Sequence, residues 1–246
     1  ININNNWDIS SETILMGDEL HFWILANDYD NINGPNIAKS KEIIGIFPSL
    51  EDLFYKVEEY ENNTENIAND IQDSMEEISE IAEEIRLELL KNDDLSWEQE
   101  KKLEQTFDEV NETFEQIEEI QKNIDQIIEQ AEKNNLFDND LMQKFDYFQE
   151  MLSNMMTPEL IDAMNELQKA MDNLDSQKIA EALENFEVNM EEFENQLDRF
   201  IEMFEMAKAE QKLNELSEMM ENMIDKQKDL IDNLNSSPEE LSLLNS

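Results

Sequence analysis

The side chains that most often do chemistry in proteins are scarce in this chain. Among its 246 residues there is no cysteine and a single histidine, His21. The lack of thiols excludes a disulfide scaffold, a thiolate zinc site and a cysteine nucleophile. One imidazole cannot supply a metal centre that needs two or three histidine ligands. His21 stands in an apolar segment, which favours a packed or edge position on a strand, so any catalysis would rest on carboxylates alone.

One loop collects the oxygen ligands that calcium prefers. Asp28, Asp30 and Asn33 lie within residues 28–34, and carboxylate and amide oxygens are typical donors for a hard cation. The spacing is not that of an EF-hand, because Ile32 stands at the fifth position and no glutamate stands at the twelfth. Asp, Asn and Gly are also the residues that a long hairpin turn requires. We therefore predict a turn with no metal and no other cofactor, and keep these three residues as a weak calcium candidate.

The charge of the chain excludes several classes of partner. It has 62 acidic and 17 basic side chains, which gives a formal net charge of −45 at pH 7. Such a surface repels phosphate over a Debye length of about 10 Å at 0.1 M salt, so neither nucleic acid nor an anionic membrane face is expected to bind. No run approaches the roughly 20 apolar residues of a membrane-spanning helix. A di-iron site would need Glu-x-x-His pairs, and the predicted helices contain no histidine.

Residues 1–48 predict β structure. A run of β-branched and aromatic residues at 19–26 is followed by a turn-rich stretch and by a second run at 42–47, which predicts a β-hairpin with a long loop. An earlier strand at 13–16 would turn at Gly17. Both faces of the hairpin are apolar and need a cover, which either further strands of a sandwich or a docked helix would supply.

Residues 49–246 change to a heptad period, which predicts an acidic helical bundle or coiled coil. Seams and capping residues divide this region into helices at about 49–91, 96–134, 139–156, 158–173 and 176–235. The predicted seam residues of the first three helices include Tyr60, Phe107, Phe114, Phe145 and Phe148. Short connections favour antiparallel neighbours. The predicted fold class is therefore mainly α, an extended antiparallel helical bundle or coiled coil with a small N-terminal β segment.

The last helix carries two successive seams. Apolar residues recur at heptad spacing from Ile179 to Ala207, and again from Leu213 to Leu234. The step from Ala207 to Leu213 breaks the period, so the contact face is expected to rotate or to change partner there.

Methionines gather in two groups, and flexible thioethers suit the binding of varied partner helices. Most of them coincide with seam positions, so core filling is the favoured interpretation and a Met-lined clamp for client proteins is the alternative. The two groups are Met142, Met151, Met155, Met156, Met164 and Met171, and then Met219, Met220 and Met223.

Trp23, the stretch NDYDNINGPNIAKS at 27–40 and the stretch IFPSLE at 46–51 resemble part of a family of uncharacterised bacterial membrane proteins. In that family an aspartate-rich loop with Gly-Pro joins the last two strands of an extracytoplasmic immunoglobulin-like segment, and Phe-Pro-Ser leads into long acidic helices. The resemblance implies a partial immunoglobulin-like sandwich over 1–48, transmembrane helices upstream of Ile1, and a position on the extracytoplasmic side of the bacterial cell envelope. It implies no activity and no catalytic residues.

These features predict a non-enzymatic, elongated scaffold or tether of the cell envelope. It would bind protein partners through its helical surface, with self-association as an option and without direct membrane contact of its own. Two alternatives stay open, the Met-lined clamp and a hydrolase that uses carboxylates alone. From the start at Ile1 and the helix-start pattern at 237–240, we expect the natural chain to continue at both ends.

Overall fold

The computed structural model describes residues 6–9, 14, 16–28, 34–91, 95–173 and 175–236. Over these residues the protein is mainly helical, with four short strands followed by five helices. The chain divides into two compact units, Ile1–Tyr55 and Lys56–Ser246. The boundary lies inside the first helix, whereas the change in composition places it at residue 48.

The strands of the first unit are β1 Glu19–Phe22, β2 Leu25–Asn27, β3 Ile37–Lys39 and β4 Ile43–Ile46. β1 pairs antiparallel with β4, and β2 pairs antiparallel with β3. The two ladders follow one another along one long hairpin, because Phe22 pairs with Ile43 and Leu25 pairs with Lys39. The predicted hairpin is therefore present, although each of its arms is split into two strands.

The hairpin is interrupted where a side chain takes the place of a backbone partner. The Ile24 N–H donates to the Ser40 hydroxyl (2.9 Å), and that hydroxyl donates to the Lys41 carbonyl (2.8 Å). The Ser40 N–H still donates to the Ile24 carbonyl (2.9 Å), so the two arms stay together. The break involves a side-chain hydroxyl, which the hydrophobic pattern of the sequence does not reveal.

The two described residues of the predicted strand at 13–16 do not form a strand. Ile14 and Met16 are described and lie in neither ladder, whereas Thr13 and Leu15 lie outside the described residues. The predicted turn is present at Gly17, whose φ of 90° favours glycine. The Gly17 N–H donates to the Phe47 carbonyl (3.1 Å), which fastens this turn to the end of β4.

The helices are α1 Leu50–Leu89, α2 Trp97–Asn134, α3 Asn139–Met155, α4 Pro158–Asp172 and α5 Ser176–Ser236. Their ends differ from the predicted ones by two residues at most. Local caps explain this agreement: Ser96 and Gln99 form a capping box, and the Thr157 hydroxyl accepts from the Leu160 N–H (3.1 Å). Such signals act within one turn, so they can be recognised without knowledge of the tertiary structure.

Polar contacts between side chains give the relative directions of the helices in the second unit. As residue numbers rise along α1 they fall along α5, so these two helices run in opposite directions. The contacts are Gln72 with Asp198 (2.6 Å), Ser79 with Glu194 (2.5 Å) and Arg86 with Glu187 (2.8 Å). The contacts of Asn63 with Glu119 (3.4 Å) and of Lys102 with Glu84 (3.4 Å) give the same opposed direction for α1 and α2.

A cluster of aromatic rings forms part of the interior of this unit. Phe148 of α3 packs edge-on against Phe200 of α5, with ring centroids 5.6 Å apart, and Phe200 stacks on Phe204 at the same distance. Phe145 meets Phe204 at 6.1 Å. All four rings are buried, and they lie on the seams that the sequence predicts for α3 and α5.

Candidate functional site

The calcium candidate contains one described residue, and that residue closes the turn. The Asp28 carboxylate accepts from the Asn36 N–H (2.8 Å) and from the Asn36 side-chain amide (2.7 Å), and the Asp28 N–H donates to the Asn36 carbonyl (3.1 Å). Asp30 and Asn33 lie outside the described residues. In the described part of the chain no three acidic or histidine side chains are grouped so as to hold a metal ion. The contacts of Asp28 are those of a turn-forming residue.

His21 lies exposed on β1, between two acids. Its Nε2 is 3.0 Å from Glu19 Oε2 and its Nδ1 is 3.2 Å from Glu42 Oε1. Hydrogen bonds to Glu19 and then to Glu42 raise the pKa of the imidazole above its usual 6.5. The protonated ring therefore links β1 to the residue before β4, which is a structural contact at an edge position.

Helices α1 and α5 bring four polar side chains into the interior at one level. They are Glu61 and Thr64 of α1, and Gln211 and Glu215 of α5. Glu61 and Gln211 are each only 1% exposed. Within the described residues, Glu61 Oε1, Thr64 Oγ1 and Gln211 Nε2 have no hydrogen-bond partner. Each buried polar group without a partner costs about 1–3 kcal/mol, so this level is a weak point of the packing.

Burial dominates the electrostatics of Glu61. Removal from water raises the pKa of this carboxyl from 4.5 to about 7. Lys208 and Lys212 lower the pKa, but Lys208 is paired with Glu65 and Lys212 lies 2.8 Å from Glu215. Because both ammonium groups already have other carboxylate partners, they offset only part of the rise in pKa that burial causes at Glu61.

A cleft of about 370 Å³ opens beside Glu61, and Lys208, Gln211 and Glu205 are among the side chains that line it. A carboxyl that titrates near neutral pH can both donate and accept a proton under physiological conditions. Among the described carboxyls of this unit, Glu61 is the one whose pKa burial raises to about 7.

The heptad pattern predicts Tyr60, and not Glu61, as the seam residue of α1 at this point. The structure buries Glu61, while Tyr60 is only half-buried. A signal was present, since Val57, Glu61, Thr64 and Ala68 also follow the alternating spacing of a seam.

The end of α5 carries the largest unburied set of apolar side chains on any described helix. We call residues 213–234 at heptad spacing the distal seam. Its apolar members are Leu213 (70% exposed), Leu216 (51%), Met220 (59%), Met223 (57%), Leu230 (63%) and Leu234 (58%). Gln227 completes it, and Ile224 and Ile231 lie beside it, also exposed.

The earlier seam of α5 has the opposite environment. We call it the proximal seam, and all of its members are buried: Ile179, Leu183, Phe186, Met190, Phe193, Leu197, Phe200, Phe204 and Ala207. The apolar row leaves the buried face after Ala207, because Leu213 is exposed and does not continue the buried row. The next buried residues of α5 are Gln211 and Glu215, on the same side as Phe204 and Ala207.

The two groups of methionines have different environments. In the first, Met155 and Met164 are buried and the others are half-buried, as core filling predicts. In the second, Met220 and Met223 are exposed members of the distal seam. Of these two groups, the second therefore supplies the thioethers that are more available to a partner.

No family model matches the chain, and no curated protein or solved structure matches it either. Among the described helices, none combines the length and the apolar composition needed to cross a membrane. The function is therefore argued from the geometry of these sites.

Proposed function

We propose that this protein is a non-enzymatic helical scaffold or tether that associates with protein partners through the distal seam. The observation that supports this most is the exposure of six large apolar side chains along one face of α5. Exposed apolar surface that is contiguous and bordered by polar residues is typical of interaction sites in proteins. A heptad row in particular is the surface that another helix recognises.

For the second unit we propose an antiparallel bundle with coiled-coil packing. The opposed directions of α1 with α2 and of α1 with α5 support this arrangement. Phe148 and Phe200, which join α3 to α5, support a shared interior. Such a bundle would hold α5 straight over its proximal seam and so present the distal seam as a stable helix, which an isolated segment of this length would not form in water.

For the first unit we propose the remnant of an immunoglobulin-like sandwich, and for the whole protein an extracytoplasmic position in the bacterial cell envelope. These proposals rest on the resemblance of residues 23–51. The exposed side chains of Ile24, Ile37 and Ile46 are in keeping with a hairpin that needs a cover.

The experiment is chemical crosslinking of the full chain in a bacterial envelope extract, followed by identification of the linked peptides. We expect stoichiometric crosslinks to Lys226, which flanks the distal seam, and to Lys228 two residues on, and their loss in the double variant Leu216→Glu/Leu230→Glu. A chain that crosslinks to nothing through this region, including a second copy of itself, would overturn the proposal. Suppression of the aggregation of many denatured proteins would instead support the Met-lined clamp.

A second candidate function is a hydrolase that uses carboxylates alone, and one observation favours it. Glu61 combines a pKa of about 7 with a position beside a cleft of about 370 Å³. A screen of ester, amide and glycoside substrates near neutral pH, run with the full chain and with Glu61→Gln, tests this function. Turnover that the substitution abolishes would establish it.

A further inference from the structure

We propose that a second copy of this chain occupies the distal seam, and that the two copies pair in parallel as a two-stranded coiled coil over residues 213–234. This inference rests on the proposed function and names the partner. It would make the scaffold a dimer joined through the ends of two α5 helices.

The distal seam has the length and the composition of a coiled-coil strand. Its a positions are Leu213, Met220, Gln227 and Leu234, and its d positions are Leu216, Met223 and Leu230. Twenty-two residues at 1.5 Å each span about 33 Å, or three heptads, which is the range over which a heptad pattern predicts a coiled coil. Leucine at two of the three d positions is in keeping with a two-stranded pair.

The acidic residues of this segment avoid the interface. The e and g positions, which flank a coiled-coil seam, are Lys212, Ser217, Met219, Ile224, Lys226, Ile231 and Asn233. The segment contains six acids, and every one stands at a b, c or f position: Glu215, Glu218, Glu221, Asp225, Asp229 and Asp232. In a parallel pair, Lys212 of one copy faces Ser217 of the other and Lys226 faces Ile231, so no like charges meet.

This distribution favours a second copy over other helices. The chain has a net charge of −45, so two copies repel one another over most of their surface. They can approach along a face from which acids are absent. A basic partner helix would instead be matched by acids at e and g, and those positions have two lysines and no acid.

Gln227 sets the register and the direction. In a parallel pair in register, each a residue faces the same a residue of the other copy, so the two Gln227 amides can donate to and accept from each other. In an antiparallel pair an a residue faces a d residue, and the buried amide would meet leucine or methionine. A single polar a position is a known device for fixing partner number and register, at some cost in stability.

The first experiment measures the mass of the full chain by sedimentation equilibrium at 0.1 and 0.5 M NaCl. We expect a monomer–dimer equilibrium that shifts toward dimer at the higher salt, because screening weakens the repulsion between copies. Met223→Glu places two carboxylates at one d layer and should weaken association by about 100-fold or more. Asn222→Asp adds the same charge at the neighbouring c position and should leave the dissociation constant within about twofold.

Three outcomes would overturn the proposal. They are a wild-type chain that stays monomeric at both salts, equal effects of Met223→Glu and Asn222→Asp, and a chain that dimerises only after truncation at Ser236. The last outcome would mean that residues 237–246 occupy the seam. If the full chain crosslinks to another envelope protein through Lys226 and Lys228 but never dimerises, the pairing proposal fails and the scaffold proposal stands.

The second experiment tests the direction, and the absence of native cysteine makes it simple. Leu216→Cys and Leu234→Cys are prepared as single variants and oxidised separately and as a mixture. We expect each variant to form a disulfide with its own second copy, because parallel pairing in register brings identical positions together. Disulfides that form only in the mixture, and not in either variant by itself, would show an antiparallel pair and would overturn the proposed direction.

Discussion

The two halves of α5 have heptad seams of the same kind in opposite environments. The proximal seam, from Ile179 to Ala207, is buried, whereas the distal seam, from Leu213 to Leu234, is exposed. Both belong to one uninterrupted helix of 61 residues. Heptad spacing therefore shows that a helix needs a partner, but it does not show whether that partner lies in the same chain.

The change occurs where the inner face of α5 becomes polar. Phe200, Phe204 and Ala207 are followed on the buried side by Gln211 and Glu215. An apolar core cannot continue through an amide and a carboxylate without a cost in desolvation. The apolar residues beyond this level lie instead on a different face of the helix, which is the face available to a partner.

The largest expected difference between the two halves of α5 is in the stability lost when an apolar side chain of the seam is truncated. Phe200 is fully buried between Phe148 and Phe204, so Phe200→Ala should lower the free energy of unfolding by about 3–5 kcal/mol. Leu216→Ala removes a similar apolar group from an exposed position. It should change the free energy of unfolding by less than about 0.5 kcal/mol at low protein concentration. Urea unfolding followed by circular dichroism measures both. Equal losses would show that the distal seam is covered within the chain.

A second prediction concerns Glu61, one of the four polar residues that α1 and α5 bury together. The pKa of Glu61 rises from 4.5 to about 7 on folding, so between these values the folded chain binds a proton more tightly than the unfolded chain. The free energy of unfolding contributed by this group is therefore greatest below pH 4.5 and falls as the pH rises to 7, by about 3 kcal/mol. Glu61→Gln should remove this part of the pH dependence.

The measurement is urea unfolding at several pH values between 4 and 8. Glu59→Gln is the matched control, because Glu59 is exposed on the same turn of α1. A pH dependence that is the same in wild type and Glu61→Gln would contradict the prediction.

A smaller difference is expected between the contributions of two ion pairs to stability. Arg86 and Glu187 join α1 to the buried half of α5, with side chains 24% and 21% exposed, and Glu187 raises the pKa of the guanidinium. Lys228 and Asp225 lie in the same segment of α5 as the distal seam but away from it, with side chains 67% and 72% exposed. Arg86→Ala should cost about 1 kcal/mol and Lys228→Ala almost nothing, because solvent screens the exposed pair. Melting temperatures of the two variants in the same buffer test this, and a larger drop for Lys228→Ala would reverse the comparison.

The smallest effect is expected outside α5, at the exposed contacts of His21. Because its folded pKa is raised, the imidazole stabilises the hairpin fully below pH 6.5, and this contribution is lost as the pH rises through the folded pKa. Titration by NMR reports the pKa directly, since the chain has no other histidine. We expect a midpoint above 6.5 that falls in Glu19→Gln and in Glu42→Gln. A midpoint at or below 6.5 would mean that these contacts do not persist in solution.

Much of the helical part was predictable because its signals are local or periodic. Ser96 with Gln99 and Thr157 with Pro158 begin helices by contacts within one turn. The residues of the proximal seam are all buried, as their heptad spacing predicts. The predicted break in the apolar row after Ala207 is also present, although the buried face itself continues with Gln211 and Glu215.

Which of two adjacent residues on a helix faces the interior was less predictable. In α2 the sequence favours Phe107 and Phe114 as seam residues, but the structure buries Thr106 and Thr113, and the two phenylalanines are half-buried. The same happens in α1, where Glu61 is buried in place of Tyr60. Adjacent positions on a helix differ by about 100° in direction, so the neighbouring helices decide which of the two faces inward.

The sequence by itself determined where the helices begin and end, because caps and turn residues act over a few positions of the chain. It also determined that α5 needs two different contact faces, because a heptad row that breaks cannot stay on one side of a helix. Only the tertiary structure decided which of these faces is covered and which carboxyl is buried. The physical reason is that burial and the pKa of Glu61 depend on groups brought together from α1 and α5, which are far apart in the sequence.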